Sequence, residues 1–340
     1  MRKEVVFAIL AGCTLGLIIA FGAWRANIAL STKGNSNNID KPKATILPTG
    51  ELRVVIAKPS EQEVLTSSPV TVSGITTNKA QILVSGEDSD TFDVASSSGS
   101  FNTSIDLVGG INQIKVFAFN DSNQITNANL LLVYSSSFSK QTSITTNSAS
   151  GSADSILNKV NEKVKEAASL GTSYIGTVTD ISDSGIQIKT KKSEIQQISP
   201  NKDDITYIKT TNGVTKEIKS TDLAIGDFIV AMGTKNGNSI LHASRILVTD
   251  AVKDDAKTAI IGNISDTARG QVTVGDLNII PDDSITITTS DNVKTKVTRF
   301  SSLDTGWKII VVGTKDSKGN LVARHVRVLD IPAPTPTPKS

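Results

Sequence analysis

The chain has 340 residues, 4% of them aromatic, and a net charge of +2. Acidic and basic residues are interleaved along it, so no electrostatic argument favours nucleic acid as a partner. Its single cysteine, Cys13, excludes disulfides within the chain and metal sites built from several cysteines.

The first feature along the chain is an uncharged apolar run over residues 5–24, preceded by Arg2 and Lys3. A helix of this length reaches roughly 30 Å, the thickness of the hydrocarbon core of a bilayer. We therefore predict a short tail and a single-pass transmembrane anchor in residues 1–30, with the lipid bilayer as a partner. Two alternatives stay open: a cleaved secretory signal, and lipidation at Cys13.

Basic residues stand on both sides of this run, so the positive-inside rule does not fix its orientation. The Ser/Thr/Asn-rich composition downstream favours a cytoplasmic N-terminus and extracytoplasmic C-terminal domains. Small residues recur every four positions in the run: Ala8, Gly12, Gly16 and Ala20. Such a stripe predicts close helix approach and a homo-oligomer, although small residues are also common in membrane helices generally.

After a polar spacer at residues 31–50, short alternating apolar runs over residues 51–134 predict a β-sandwich. The runs are bounded by turn residues and include 70–74, 81–84 and 114–119. With Pro59, Gly99-Ser-Phe101, Leu107 and Gly110-Ile-Asn112, the segment resembles bacterial immunoglobulin-like domains. The resemblance implies a spacer or adhesive module, as found in surface proteins and beside extracellular glycosidases, and no enzymatic role.

Residues 135–171 are predicted to be a linker ending in a helix. Its first part is Ser-rich and low in complexity, and a random coil of that length would uncouple the domains on either side. Residues 154–170 then predict an amphipathic helix with one apolar stripe, formed by Leu157, Val160, Val164 and Ala167. The stripe packs on the following domain or associates with another copy, and the sequence leaves both open.

Residues 172–250 and 257–330 repeat one pattern. In each, a Leu-x-x-Gly turn precedes an apolar strand that ends in Gly233 or Gly313, and a last strand follows. Short strands in a unit of this size predict a small closed barrel. The pattern resembles a family of OB-like barrel domains of unknown function, often tandem in exported bacterial proteins. The family's Gly-Asp pair is kept at Gly226-Asp227 but becomes Gly306-Trp307 in the second repeat.

Few residues carry chemistry. We expect His242 and His325 to be exposed strand residues without a catalytic role. The acidic residues Glu87, Asp88 and Asp90 predict a solvated turn, with Ca²⁺ binding as the alternative. Trp307 is the candidate contact residue, since its counterpart is polar, although a tryptophan can also cover the edge of a barrel. We predict no enzyme, catalytic residue, metal or cofactor.

The predicted fold class is mainly β: a transmembrane helix, an immunoglobulin-like sandwich, one linker helix, two tandem small barrels and a Pro-Thr tail at residues 331–340. We expect a membrane-anchored, exported, non-catalytic binding or scaffolding protein of the bacterial envelope. Its partners would be an envelope protein, a cell-wall polymer or a second copy. The alternative is an accessory or regulatory subunit of a membrane signalling or glycan-processing complex.

Overall fold

The computed structural model describes residues 51–138 and 171–332, apart from 184, 201–204, 212, 237, 269, 292 and 294. This part of the chain is mainly β. No helix within it is long and apolar enough to cross a membrane. The apolar run at 5–24 with its small-residue stripe, the expected helix at 154–170 and most of the tail lie outside the described residues.

Two sheets from the first eight strands pack face to face in a sandwich-like arrangement. The strands are β1 (Val54–Lys58), β2 (Glu63–Leu65), β3 (Val70–Thr76), β4 (Gln81–Ser85), β5 (Asp90–Val94), β6 (Ser100–Ile105), β7 (Gly110–Phe119) and β8 (Ile125–Tyr134). One sheet has the order β1-β3-β6, and the other runs β2-β8-β7-β4-β5. Alternation along the strands fills the space between them with buried residues such as Val72, Ile82, Ile114 and Leu132.

The first repeat forms the next set of strands. They are β9 (Gly171–Ser182), β10 (Gly185–Lys189), β11 (Ile195–Pro200), β12 (Thr206–Thr211), β13 (Val214–Ile218), β14 (Phe228–Lys235) and β15 (Leu241–Thr249). The pairings of β9-β10-β11-β15-β14 return to β9, so five strands close a ring. β12 lies on β15 beyond the end of β11, and β13 pairs with β12 as an additional edge strand.

The second repeat closes a barrel of the same connectivity from β16 (Lys257–Ala268), β17 (Gln271–Val274), β18 (Leu277–Thr289), β19 (Lys308–Lys315) and β20 (Leu321–Asp330). β18 takes the places of both β11 and β12. Its first part pairs in parallel with Leu321–Ala323, and its last part with His325–Val328. The repeat seen in the sequence is therefore a repeat of barrels, which confirms the predicted small closed barrel.

The glycine shared by the two repeats is required by the backbone. Gly233 is paired with Ala243 where the β14–β15 register shifts, and Gly313 is paired with Ala323 at the same point of β19–β20. A Cβ on either glycine would stand 1.9 Å from a carbonyl oxygen of the facing strand. The sequence signature thus reports a β-bulge that bends each barrel, and it carries no chemistry of its own.

Both barrels pack on the outer face of the β2-β8-β7-β4-β5 sheet, and they use equivalent strands to do so. In the first barrel, β9 and β14 contribute Ile175, Val230 and Met232 to an apolar interface with Val64 and Val133. In the second, the equivalent strands contribute Ile261, Ile310 and Val312, and these pack against Leu83, Phe117 and Phe119. The sandwich sheet is therefore buried on both faces.

The outward side chains of β7 follow this arrangement. Ile111 packs in the interface with the first barrel, and Phe117 in the interface with the second. Between them, Gln113 donates a hydrogen bond to the carbonyl of Lys253 (3.1 Å), and Lys115 donates one to the carbonyl of Lys257 (2.8 Å). Polar side chains thus occupy the middle of the strand, where the segment joining the barrels crosses it.

The sandwich and the first barrel are in direct contact, although we expected the Ser-rich first part of the linker to uncouple them. β2 of the sandwich pairs with β8 on one side and with β9 of the first barrel on the other. Phe138 is buried in that interface, and a Cβ on Gly171 would stand 2.5 Å from its ring. The two ends of the intervening segment therefore lie side by side, so the segment begins and ends at one place on the molecule.

Candidate functional site

The junction of the sandwich and the second barrel is held by Arg324 of β20. Its Nε lies 2.9 Å and its Nη2 2.5 Å from the two carboxylate oxygens of Asp90, the first residue of β5. The same guanidinium donates to the carbonyls of Gly86 and Glu87 and to the hydroxyl of Ser85. The Asp90 side chain is only 2% exposed, so this is a two-pronged ion pair in a largely desolvated place.

His325, the next residue of β20, lies in the same junction. Its Nε2 is 3.0 Å from the hydroxyl of Thr288, and its ring meets Phe92 edge-on at 4.9 Å between centroids. Burial lowers the pKa of His325, Asp90 acts to raise it, and Arg327 and Arg324 lower it further. The imidazole is therefore held neutral and packs in the interface between the second barrel and the sandwich.

Two expectations are wrong here. His325 is 6% exposed and buried, whereas we expected an exposed strand residue. The acidic turn is solvated at Asp88 but not at Asp90, which is buried beneath Arg324. His242, by contrast, is exposed as expected, and its Nε2 lies 3.2 Å from the side-chain amide of Asn236. The chain separation of 234 residues between Asp90 and Arg324 leaves no local signal of their pairing.

Trp307 is half-buried and packs against the core of the second barrel beside Ile331. Its carbonyl accepts a hydrogen bond from the amide of Ile264 at 2.9 Å. In the first barrel, the Asp227 carbonyl accepts the equivalent bond from Val178, and the Asp227 carboxylate accepts one from the amide of Ala224. Both residues thus occupy one turn, and the role of Trp307 as a contact residue stays a prediction.

The hairpin of β12 and β13 in the first barrel presents two lysines to solvent. Lys209 is paired directly with Lys216 across the hairpin, and directly opposed side chains share one face. On the other face Ile208 packs into the interface with the sandwich. One face of the hairpin is therefore packed against the sandwich. On the other face, Lys209, Lys216 and the exposed Val214 line a groove of about 390 Å³.

The base of the groove adjoins the mouth of the first barrel, because Ile218 in the groove pairs with Tyr207. Tyr207 lines a second hollow of about 260 Å³ together with Ser199, Ser220 and Asp183. Its ring belongs to the barrel core. Burial raises the pKa of Tyr207, so the phenol stays protonated and can donate a hydrogen bond.

The second barrel has no such surface among its described residues. When the last strands of the two barrels are aligned on Ala243 and Ala323, the residues that pair with them can be compared. Tyr207 then corresponds to Ile287, and Lys209 corresponds to Thr289. No strand follows β18 before the one-turn 3-10 helix at Phe300–Ser302 in the part that is described. A barrel of this kind therefore closes without the hairpin, and the lysine pair with its neighbouring hydroxyls is an addition specific to the first repeat.

These features define the candidate functional site as a polar, basic groove on the first barrel, which we call the hairpin groove and define by Tyr207, Lys209, Val214, Lys216 and Ile218. It offers cations and hydroxyl donors, which suit binding. No group of three His, Cys, Asp or Glu side chains in the described residues is placed to hold a metal ion. A signal for the hairpin was present in the sequence: Asn212-Gly213 between two strand-like runs predicts a two-residue turn.

Comparison with known proteins gives no family. No known family model matches the chain, and no curated protein matches it either. One solved structure with some similarity comes from a study titled as structural insight into host cell surface retention of a 1.5-MDa bacterial ice-binding adhesin. It is 13% identical, and the match covers 82% of this chain and 97% of that chain, with a TM-score of 0.20. A score this low does not establish a common fold.

Proposed function

We propose that this chain is a membrane-anchored, exported and non-catalytic binding or scaffolding protein of the bacterial cell envelope. In this proposal an immunoglobulin-like sandwich and two OB-like barrels form the extracytoplasmic part. The apolar run at residues 5–24 tethers them to the bilayer. The modules present a binding surface to an envelope polymer or an envelope protein.

The observation that supports the proposal is the pair of apolar interfaces on the sandwich sheet. Through Ile175 and Val230 in one barrel and Ile261 and Ile310 in the other, the three modules are fixed to one another. Fixed modules hold a surface at a defined place, which is what a scaffold requires. The hairpin groove lies on the face of β12–β13 opposite to Ile208. It therefore stays open although the first barrel packs on the sandwich sheet.

Side-chain labelling in intact cells tests the location. Lys192 lies in an exposed turn, so Lys192→Cys in a Cys13→Ser background gives one accessible thiol. We expect a membrane-impermeant maleimide to label it without lysis. Labelling only after lysis would place the β-modules in the cytoplasm and overturn the proposal.

A buried thiol supplies the matched control. Ser173 has no exposed surface, and its hydroxyl donates to the carbonyl of Gln62. Ser173→Cys in the same background should stay unlabelled in intact cells and react only after denaturation. Labelling of Ser173→Cys without denaturant would show that the reagent reports unfolded chains.

Binding is tested by sedimentation. The full chain in non-ionic detergent is mixed with envelope fragments from cells that lack it, and the fragments are pelleted. We expect the chain in the pellet. A chain that stays in the supernatant at all protein concentrations would contradict a binding role.

A further inference from the structure

The two lysines of the hairpin groove are placed at a cost to the fold. Lys209 and Lys216 are direct cross-strand partners, and like charges at such positions destabilise a hairpin. A lysine on the edge strand β13 can serve to prevent edge-to-edge pairing. That purpose needs Lys216 alone and does not explain a second lysine opposite it on β12.

No acid in the described structure neutralises the pair. Neither lysine forms a salt bridge with a described residue, whereas Lys191 and Lys257 do. Glu217 lies one residue from Lys216 and therefore on the opposite face of β13. Among the described residues, no acid lines the groove, and Asp183 is the one acid that lines the hollow at the barrel mouth. As lined by its described residues, the groove is thus a local positive site on a chain whose net charge is only +2.

Hydroxyl groups line the hollow next to the hairpin groove. Tyr207 shares the face of Lys209, two residues away on β12, and pairs with Ile218 at the base of the groove. Ser199 and Ser220 line the same hollow as Tyr207. Hydroxyl donors beside two ammonium groups match the oxygen-rich surface of a phosphate group. Lysine binds phosphate as a point charge, without the planar fork that arginine offers to carboxylates.

We propose that the hairpin groove binds a linear phosphate polymer of the cell envelope. This inference rests on the proposed function and names its ligand class. Lys209 and Lys216 hold successive phosphates, and the hydroxyls of Tyr207, Ser199 and Ser220 donate to phosphate oxygens or to the groups between them. The Tyr207 ring is buried in the barrel core, so the groove offers no face on which a base could stack, and this disfavours nucleic acid.

Fluorescence anisotropy of end-labelled linear polyphosphate, titrated with the full chain in non-ionic detergent, tests the proposal. We expect binding that weakens as NaCl is raised, since exposed charges are screened. Lys209→Gln with Lys216→Gln should weaken it about tenfold or more, which corresponds to about 1.4 kcal/mol. Tyr207→Phe, which keeps the ring and removes the hydroxyl, should weaken binding by a smaller factor.

The matched control is Lys189→Gln with Lys192→Gln. It removes the same charge from two exposed lysines at the C-terminal end of β10. Gly185, at the other end of β10, lines the hollow at the barrel mouth. We expect it to bind polyphosphate within about twofold of the unmodified chain, a difference well below 1 kcal/mol. Equal weakening in both double variants would show unspecific charge attraction and overturn the proposal.

Phosphate in lipid headgroups is the other source of the same chemistry. Vesicles of phosphatidylglycerol are therefore compared with phosphatidylcholine vesicles, using the full chain and the Lys209/Lys216 double variant. Loss of phosphatidylglycerol binding in the variant with unchanged polyphosphate binding would assign the groove to headgroups and overturn the polymer. Loss of polyphosphate binding in the variant, with unchanged binding to phosphatidylglycerol vesicles, supports the proposal.

Sedimentation with envelope fragments separates this inference from the proposed function. If the unmodified chain pellets and the Lys209/Lys216 double variant pellets equally, the groove is not the binding site and the proposed function stands. If neither pellets, both fail. Pelleting of the unmodified chain and of the Lys189/Lys192 control, with the groove variant left in the supernatant, supports both.

Discussion

Arg324 of the second barrel and Asp90 of the sandwich form an ion pair in which both carboxylate oxygens accept from one guanidinium. Around it, Phe92 and His325 meet edge-on, and Arg327 lies over the Phe92 ring at 5.4 Å from its centroid. The apolar interface of the second barrel thus ends in a cluster of paired and stacked polar groups. Substitutions in this cluster should therefore act on how firmly the second barrel is held.

Removing one member of the ion pair should loosen the second barrel. Arg324→Met keeps much of the side-chain volume and leaves Asp90 buried without its cation, so we expect a loss of about 3 kcal/mol in unfolding free energy. Urea unfolding of the full chain in detergent, followed by Trp307 fluorescence in a Trp24→Phe background, measures it. Arg299 is exposed just before the 3-10 helix at Phe300–Ser302 and gives the control Arg299→Met, and a similar loss there would contradict a specific clamp.

His325 should make the same unfolding depend on pH. Because its pKa in the folded state is lowered, mainly by burial, the folded chain resists protonation more than the unfolded chain does. The stability that follows is complete above the ordinary histidine pKa of about 6.5 and is lost as pH falls through the lowered value. We expect the urea midpoint to drop on this account as pH falls below about 6.5.

Substitution of each histidine assigns that pH dependence. Asp90, Arg324 and Arg327 are the charged groups that act on His325, and all three stay in place in His325→Gln. This variant should show a smaller drop on acidification. His242→Gln, at an exposed position, should keep the full drop, and an unchanged profile in His325→Gln would refute the assignment.

The bulge glycines should tolerate no side chain. A Cβ on Gly233 or Gly313 would stand 1.9 Å from a backbone oxygen, which cannot move away as a flexible side chain can. Gly233→Ala and Gly313→Ala should each cost about 3 kcal/mol. At Gly109 a Cβ would meet no atom within 4 Å, so alanine there should change stability by less than about 0.5 kcal/mol. Circular dichroism during urea unfolding compares the three variants.

The segment between Phe138 and Gly171 should be replaceable by a short Gly-Ser linker. Since its ends lie side by side, a short connection can join them, and a smaller loop costs less closure entropy, by roughly 1 kcal/mol. We expect stability to be kept or slightly raised in urea unfolding. Phe138→Ala is the contrasting variant and should cost about 3 kcal/mol. A large loss on replacement would show that the predicted amphipathic helix at 154–170 packs on the barrels.

Local pattern predicted much of the β-structure. Alternation located β3, because a strand with one buried face carries its own period-two signature, whereas short apolar runs located β4 and β7 in the sheet that is buried on both faces. β1, β2 and β5 were not singled out. β2 is only three residues long, and β5 begins at Asp90, whose charge indicated a turn. A carboxylate can be buried when a cation pairs with it. The cation that pairs with Asp90 comes from the far end of the chain, so the sequence around Asp90 does not indicate that it is buried.

The sequence by itself determined the repeated barrels and their bends. A close backbone contact at the bulge leaves room only for glycine, so Gly233 and Gly313 recur at the same point of each barrel. It also supplied both halves of the hairpin groove, as two strand runs around Asn212-Gly213. Only the tertiary structure decided which outward faces are covered. Ile175 and Ile261 look like ordinary strand residues until the sandwich sheet is seen to bury both. Interfaces between modules depend on contacts between distant segments, and a local pattern records only that a face is apolar, not what covers it.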